Sequence, residues 1–188
     1  MEQLTMSRSC ELPGANIMQL PEGYIIRKYI KNNSDETGWC ECFNGDIGVN
    51  EVSAEMFKNK MLMDNTVDPE NIYFLISPDG KIAGTVTYQY TDDEDTGCIH
   101  MVGIKSEYQG NNLAVPLNAY AVYKMIEDGK KKIILTTDDF RIPAIRTYLR
   151  IGFVPVINPG DTNMKKRWED IMTLIDKKKN QKDNKTCR

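Results

Sequence analysis

The chain has 188 residues, 40% apolar and 27% charged, enough for one domain with a sizeable core and ordinary for a globular protein. Its net charge of −3 argues against a general nucleic-acid binder, and no apolar run approaches the roughly 20 residues that span a bilayer. The opening MEQLTMSRSCELPG lacks the basic-then-apolar order of a secretory signal; five cysteines without a Cys-x-x-Cys, beside one histidine, leave little for a metal site and fit unpaired thiols in a reducing cytoplasm.

Residues 1–20 show no clear period and read as an N-terminal arm before a domain over 21–176. PEGYIIRKYI (21–30) reads as a first strand. NSDETGWCECFNG reads as a short helix, with Ser34 or Asp35 as its N-cap and Gly45 as its stop. VSAEMFKNKMLM follows as a second short helix capped by Ser53, with Met56, Phe57, Lys60 and Met61 at helical spacing. NIYFLISPDGKIAGTVTYQY splits around Pro78-Asp79-Gly80 into a hairpin. TDDEDTG, most simply a solvated turn, links to a further strand, CIHMVGI.

SEYQGNNLAVPLNAYAVYKMIEDG (106–129) bends at Gly110-Asn111-Asn112 and then turns helical, with Pro116 early in the helix. KKIILTT (131–137) is fit for a buried strand. One helix between the strands ending at Ile104 and Thr137 is a crossover, so those strands should be parallel neighbours. IPAIRTYLRIGF carries Pro143 in a first helical turn and Gly152 just past the last. FVPVI is a final strand, which Pro155 moves to an edge. DTNMKKRWEDIMTLIDKKK has Met164, Trp168, Ile171, Met172 and Ile175 at helical spacing. Residues 177–188, with six Lys or Arg against one Asp, read as a frayed basic tail.

A strand feeding a glycine turn and a helix is a common phosphate cradle, because the first N–H groups of a helix lack partners and carry partial positive charge. Gly110 reaches backbone angles closed to other residues, and Asn tolerates the left-handed region better than most. Taken alone, the stretch reads equally as a plain strand–helix loop. Neither a P-loop nor a dinucleotide-binding glycine pattern is present.

VGIKSEYQGNNLAVPL resembles the first signature of the GCN5-related N-acetyltransferase (GNAT) superfamily, [Q/R]-x-x-G-x-[G/A], with Gln109 first, Ala114 last and Asn112 where a glycine is expected. FRIPAIRTYLRIGF resembles its second signature at Ala144, Tyr148, Gly152 and Phe153, with Arg141 where an asparagine is expected. LPEGYIIRKY and KKRWEDIM also look like outer segments of branches related to mycothiol synthase, so the resemblance spans about residues 20–175.

The resemblance implies an α/β fold: a mixed, mostly antiparallel sheet with splayed central parallel strands, flanked by helices. It implies acetyl-CoA as acyl donor and no metal. The pantetheine would run along Val102, Gly103 and Ile104, and Gln109, at the first signature position, would be among the cofactor-binding residues. The diphosphate would sit on the amides of Gly110, Asn111, Asn112, Leu113 and Ala114. Tyr148 stands at the family's general-acid position; its plain alternative is a packing tyrosine. His100 reads either as a half-buried strand residue or as a relay for the amine's proton through water. Strict alternation puts it on one face with Val102 and Ile104. Arg141 either meets the adenosine phosphate or caps its turn, and Asp138 and Asp139 cap the following helix.

The expected activity is acetyl transfer to a primary amine of a small molecule or peptide, by a protein of the cytoplasm, monomeric or homodimeric, with no nucleic acid or membrane as partner. Two rivals stand beside it: a non-catalytic acyl-CoA-binding regulatory module, and a structural domain without cofactor.

Overall fold

The computed structural model describes residues 2–11, 19–43 and 53–186. Among them, seven strands form one sheet: β1 Leu4–Ser9, β2 Ile25–Lys28, β3 Ile72–Ile76, β4 Ile82–Tyr90, β5 Thr96–Ile104, β6 Lys132–Thr137 and β7 Val154–Pro155. The α-helices are α1 Asn33–Phe43, α2 Ala54–Phe57, α3 Ala114–Glu127, α4 Ile142–Arg150 and α5 Thr162–Thr186. The strand order is β2-β3-β4-β5-β6-β1-β7, and every pair is antiparallel except β5 with β6. The expected mixed, mostly antiparallel sheet is present, with α3 as the crossover between its parallel strands.

Alternation along β3 sends side chains to two cores. Tyr73 and Leu75 pack with α3, α4 and α5, while Ile72, Phe74 and Ile76 pack with α1 and α2. Trp168 of α5 closes the first core, and Trp39 of α1 stacks edge-on to Phe57 in the second. Both short helices cover one face of the sheet, α1 through Trp39, Cys42 and Phe43, and α2 with the turn after it through Phe57 and Met61.

The expected N-terminal arm contains strand β1, which lies between β6 and β7. Its inward positions are Leu4, Met6 and Arg8, and the arginine hides the apolar alternation. Arg8 is 3% exposed, and its Nε donates to the carbonyl of Ile151, just past α4, at 2.7 Å. A guanidinium at a helix C-terminus meets carbonyls that lack partners, which is how the sheet tolerates it there. At the other end, α5 carries helical backbone to Thr186, through most of the segment expected to fray.

The N-cap of α1 also differs. Asn32 Oδ1 accepts the Asp35 N–H at 2.8 Å, so the cap precedes both expected residues. Asp35 is fully buried and takes both guanidinium arms of Arg27, at 2.6 and 2.7 Å, together with the Ile30 N–H. Ion pairing with β2 has displaced capping. Gly45, the expected stop, lies outside the described residues. Ser53 caps α2 as expected, accepting from Met56 N–H at 3.2 Å, and the helix then widens into a π-turn over Lys58–Leu62. The acidic run at 92–95 is a turn: Asp93 accepts from Asp95 N–H and the Thr96 hydroxyl, and Asp95 pairs with Lys131. No helix among the described residues is long and apolar enough to cross a membrane.

Candidate active site

The parallel strands stay together for three residue pairs only, Thr96–Lys132, Gly97–Ile133 and Cys98–Ile134. Beyond Cys98, β5 continues for six residues and β6 for three past Ile134 without pairing to each other. The strands part there, and a cavity of about 610 Å³ opens beside them. One wall is the end of β5, the following turn and the start of α3; the other is the link after β6 and one face of α4.

A bulge in β5 shapes the first wall. Thr87 of β4 pairs with His100 and Thr85 with Gly103, so Met101 and Val102 together oppose Val86. Met101 absorbs the extra residue at φ 48°, in the left-handed region. The bulge breaks the simple alternation. Val102 and Ile104 pack toward the α3 core, whereas Met101 packs toward the α1 core and Gly103 lies against Cys42 and Phe43 of α1. A Cβ on Gly103 would approach the Cys42 carbonyl oxygen to 2.9 Å, so only glycine lets α1 sit that close.

The turn then presents backbone N–H groups. Gly110 has φ 84° and Asn112 φ 58°, so both residues of the bend that break the chain's direction are left-handed. Asn112 thus adopts the conformation that the glycine it replaces would supply. Around Gly110 a Cβ would meet no atom within 4 Å, so the bend stands open. Among the described residues, no protein acceptor meets the N–H groups from Gly110 to Val115, and the first bonded amide of α3 is Leu117, to the Leu113 carbonyl at 3.2 Å. The helix begins at Ala114, so Pro116 falls within the first turn, where its missing N–H forfeits no bond. Gln109 Nε2 donates back to the Ile104 carbonyl at 3.1 Å, and Asn111 Nδ2 to that of Tyr108, which pins the bend.

On the opposite wall, Tyr148 is 8% exposed, its ring set edge-on to Phe153 at 6.1 Å. Tyr148 lines the cavity, and its hydroxyl makes no hydrogen bond among the described residues. Burial pushes the phenol up to about 12, opposed by the nearby Arg141 guanidinium. Arg141 stands at the N-cap position of α4 but its side chain makes no capping bond, since it offers only donors; its Nε meets Asp138 at 3.3 Å. Asp138 and Asp139 are not caps either: Asp139 is held by Arg167 of α5.

Ten of the expected site residues line this one cavity: Val102, Gly103, Ile104, Gln109, Gly110, Asn112, Leu113, Ala114, Arg141 and Tyr148. Asn111 contributes its backbone to the bend while its side chain turns away. His100 stands elsewhere. Its cross-strand partner Thr87 bonds Met61 on the α1–α2 face, and directly opposed residues share a face, so His100 looks to that side. It is two residues past the last parallel pair, at the vertex of the gap. Its Nε2 is buried without a partner. Burial lowers its pKa, Asp64 works against that, and Lys60 adds to it. Among the lining residues that sequence reasoning passed over are Phe140, Thr147 and Arg150. Thr147 was legible, since it follows Ala144 and precedes Tyr148 on one helical face; the other two carried no pattern.

A mixed sheet whose parallel strands part beside a helix start with unused amides defines an α/β domain with a cleft suited to an anionic ligand. The chain belongs to the acetyltransferase (GNAT) family, whose family model matches residues 37–153. A mycothiol acetyltransferase of Arthrobacter sp. (strain FB24) is 25% identical over 158 residues, which are 80% of this chain and 47% of that one. The chain spans about half the length of the curated relatives it matches. Among solved structures, a GCN5-related N-acetyltransferase from Sphaerobacter thermophilus superposes with a TM-score of 0.61 at 23% identity, over 82% of this chain and 48% of that one. A chain of the NatC complex bound to Gag peptide and CoA gives 0.60 at 18% identity, over 71% and 86%. At these identities the structural likeness shows the fold.

Proposed function

We propose that the chain transfers an acetyl group from acetyl-CoA to a primary amine by direct attack on the thioester. The observation that carries this reading is the run of partnerless N–H groups from Gly110 to Val115, opening into a cavity whose lining holds no carboxylate. Those amides suit a diphosphate. The β5 edge at Val102–Ile104, unpaired on the β6 side, leaves backbone groups for the amide-bearing pantetheine arm.

The amine nitrogen attacks the carbonyl carbon, the C–S bond breaks, and the coenzyme leaves as a thiolate that takes its proton from solvent. Tyr148 faces the cavity as a phenol that stays protonated at any working pH, its pKa being about 12. Full proton transfer to a thiolate of pKa about 8.5 is uphill by roughly 5 kcal/mol, so its role is a hydrogen bond to sulfur as charge accumulates there. His100, neutral because burial disfavours its charged form, takes the proton the amine loses, through water, from the α1–α2 side of the gap. The acceptor then approaches from the face opposite α3, a small molecule or a peptide amine.

The test is a thiol-release assay with acetyl-CoA against a panel of small amines and peptide N-termini, paired with calorimetry of CoA binding. Amine-dependent release supports the proposal. Tight CoA binding without turnover on any amine would leave the non-catalytic binding module; absence of CoA binding would leave a structural domain.

A further inference from the structure

The chain leaving the π-turn lies over the strand face on which His100 stands, and it is tied to β4 at two points. Met61 Sδ accepts from the Thr87 hydroxyl at 3.7 Å. Thr66 accepts twice, at its carbonyl from the Tyr90 N–H at 2.7 Å and at its hydroxyl from Gln89 Nε2 at 3.0 Å. Thr87 is paired with His100 of β5, and Gln89 with Cys98. Opposed residues share a face, so the stretch from Met61 to Thr66 crosses the part of the sheet that carries His100.

Asp64 sits between the two ties with its carboxylate fixed. Its Oδ1 accepts from the Thr66 N–H at 2.9 Å and from the Thr66 hydroxyl at 2.6 Å, and these bonds hold the carboxyl below the usual carboxylate range. Its Oδ2 makes no hydrogen bond among the described residues. His100 lacks what Asp64 offers. Its Nε2 is buried without a partner, and β5 contains no acidic residue. Besides burial, which disfavours its charge, the side chains that act on His100 are Asp64, which favours the imidazolium, and Lys60, which opposes it from an exposed position. Cys98, on the same strand face, stays a neutral thiol, because burial pushes it up to about 11.

We propose that Asp64 is the counter-charge that lets His100 take the amine's proton: a carboxylate fixed over that strand face steadies the imidazolium formed when the N–H proton of the attacking amine passes through water to the ring. Asp64 acts through His100 and is a positioning residue. The inference rests on the reading of His100 as proton acceptor and deepens it. A buried imidazole whose Nε2 has no partner is a poor base, because the cation it becomes is badly solvated. A nearby carboxylate lowers that cost and leaves the neutral ring almost untouched. Asp64 itself neither gains nor loses a proton, and the imidazolium returns its proton to solvent once the product leaves.

His100 is the only histidine in the chain, so its ring proton signal can be titrated directly by NMR in the untagged full chain. Asp64→Asn removes the charge, and its amide oxygen can keep both bonds from Thr66 at a half-buried position, so the fold should hold. In this variant the imidazole should titrate at lower pH than in wild type, and the acid limb of kcat/KM should move the same way. With acetyl-CoA and a reactive amine, kcat should fall by about 3- to 10-fold while KM for acetyl-CoA stays the same. An imidazole titration unmoved by Asp64→Asn would overturn the role of Asp64 and leave the acetyl-transfer reading intact. A titration that moved while the acid limb stayed in place would remove His100 from the chemistry, and Asp64 with it. Absence of turnover by the wild type on every amine would overturn the acetyl-transfer reading and this role together.

Discussion

Replacing Asn112 by valine tests the claim that a left-handed bend is what presents the amides. Asn112 sits at φ 58°, is exposed, and its side chain makes no hydrogen bond among the described residues, so the change removes no contact. What it adds is backbone strain. An ordinary residue pays about 1–2 kcal/mol in the left-handed region, and a β-branched one is at the high end, whereas asparagine pays less. The protein can spend that energy in two ways. If the bend keeps its shape, the folded state loses the full amount, and Tm falls by roughly 3–6 °C for a domain of this size. If the bend relaxes instead, stability is spared and the ligand must rebuild the bend, which weakens CoA binding by about 5- to 30-fold. The two losses should therefore sum to about 1–2 kcal/mol, read from differential scanning calorimetry and isothermal titration on the same preparation. Asn112→Gly serves as the control, and should bind CoA as tightly as wild type or slightly more so. If the valine variant lost neither stability nor affinity, the bend's conformation would be irrelevant to the site and the reasoning would fail.

Two further outcomes follow from the other wall and the other face. Tyr148→Phe removes a hydroxyl open to the cavity that has no partner among the described residues, so thermal stability should hold within about 0.5 kcal/mol while kcat falls by 10²–10³-fold, with little change in KM for acetyl-CoA; an unchanged kcat would dismiss the hydrogen bond to sulfur. For His100, burial sets the folded pKa below the ordinary 6.5, so the imidazole is neutral and active at pH 7, and kcat/KM should fall as pH drops through the folded value. Linkage runs the same way: the unfolded chain binds the proton more readily, so His100 makes the fold lose stability as pH falls from about 6.5 toward the folded pKa, and His100→Gln should flatten both acid limbs. A variant that kept the wild-type acid limb in kcat/KM would remove His100 from the chemistry.

Much of the fold was legible because its signals are local. Pro78-Asp79-Gly80 does make the hairpin, with Gly80 at φ 79°; Pro143 and Gly152 do bracket α4; and Pro155 does lie on an edge. The N-terminal strand was not legible, since Arg8 occupies a core position that is made tolerable by bonds such as the one to the carbonyl of Ile151, 143 residues away. The cap of α1 was misread for the same kind of reason: Asp35 looks like a cap until Arg27 of the neighbouring strand claims it. The side on which His100 stands depends on a bulge at Met101 and Val102, and no residue type in that stretch announces one.

The chain's order of residues by itself determined the bend, the helix start that follows it and the two spaced signatures, because glycine, asparagine and proline act on the backbone within a turn of where they stand. Tertiary structure alone decided that β1 would separate β6 from β7, that β5 and β6 would part after three pairs, that Tyr148, Phe140 and Arg150 would line the cavity, and that His100 would turn to the other side. Those outcomes depend on partners distant in the chain, whose pairing is set by the sheet as a whole and leaves no period in any one segment.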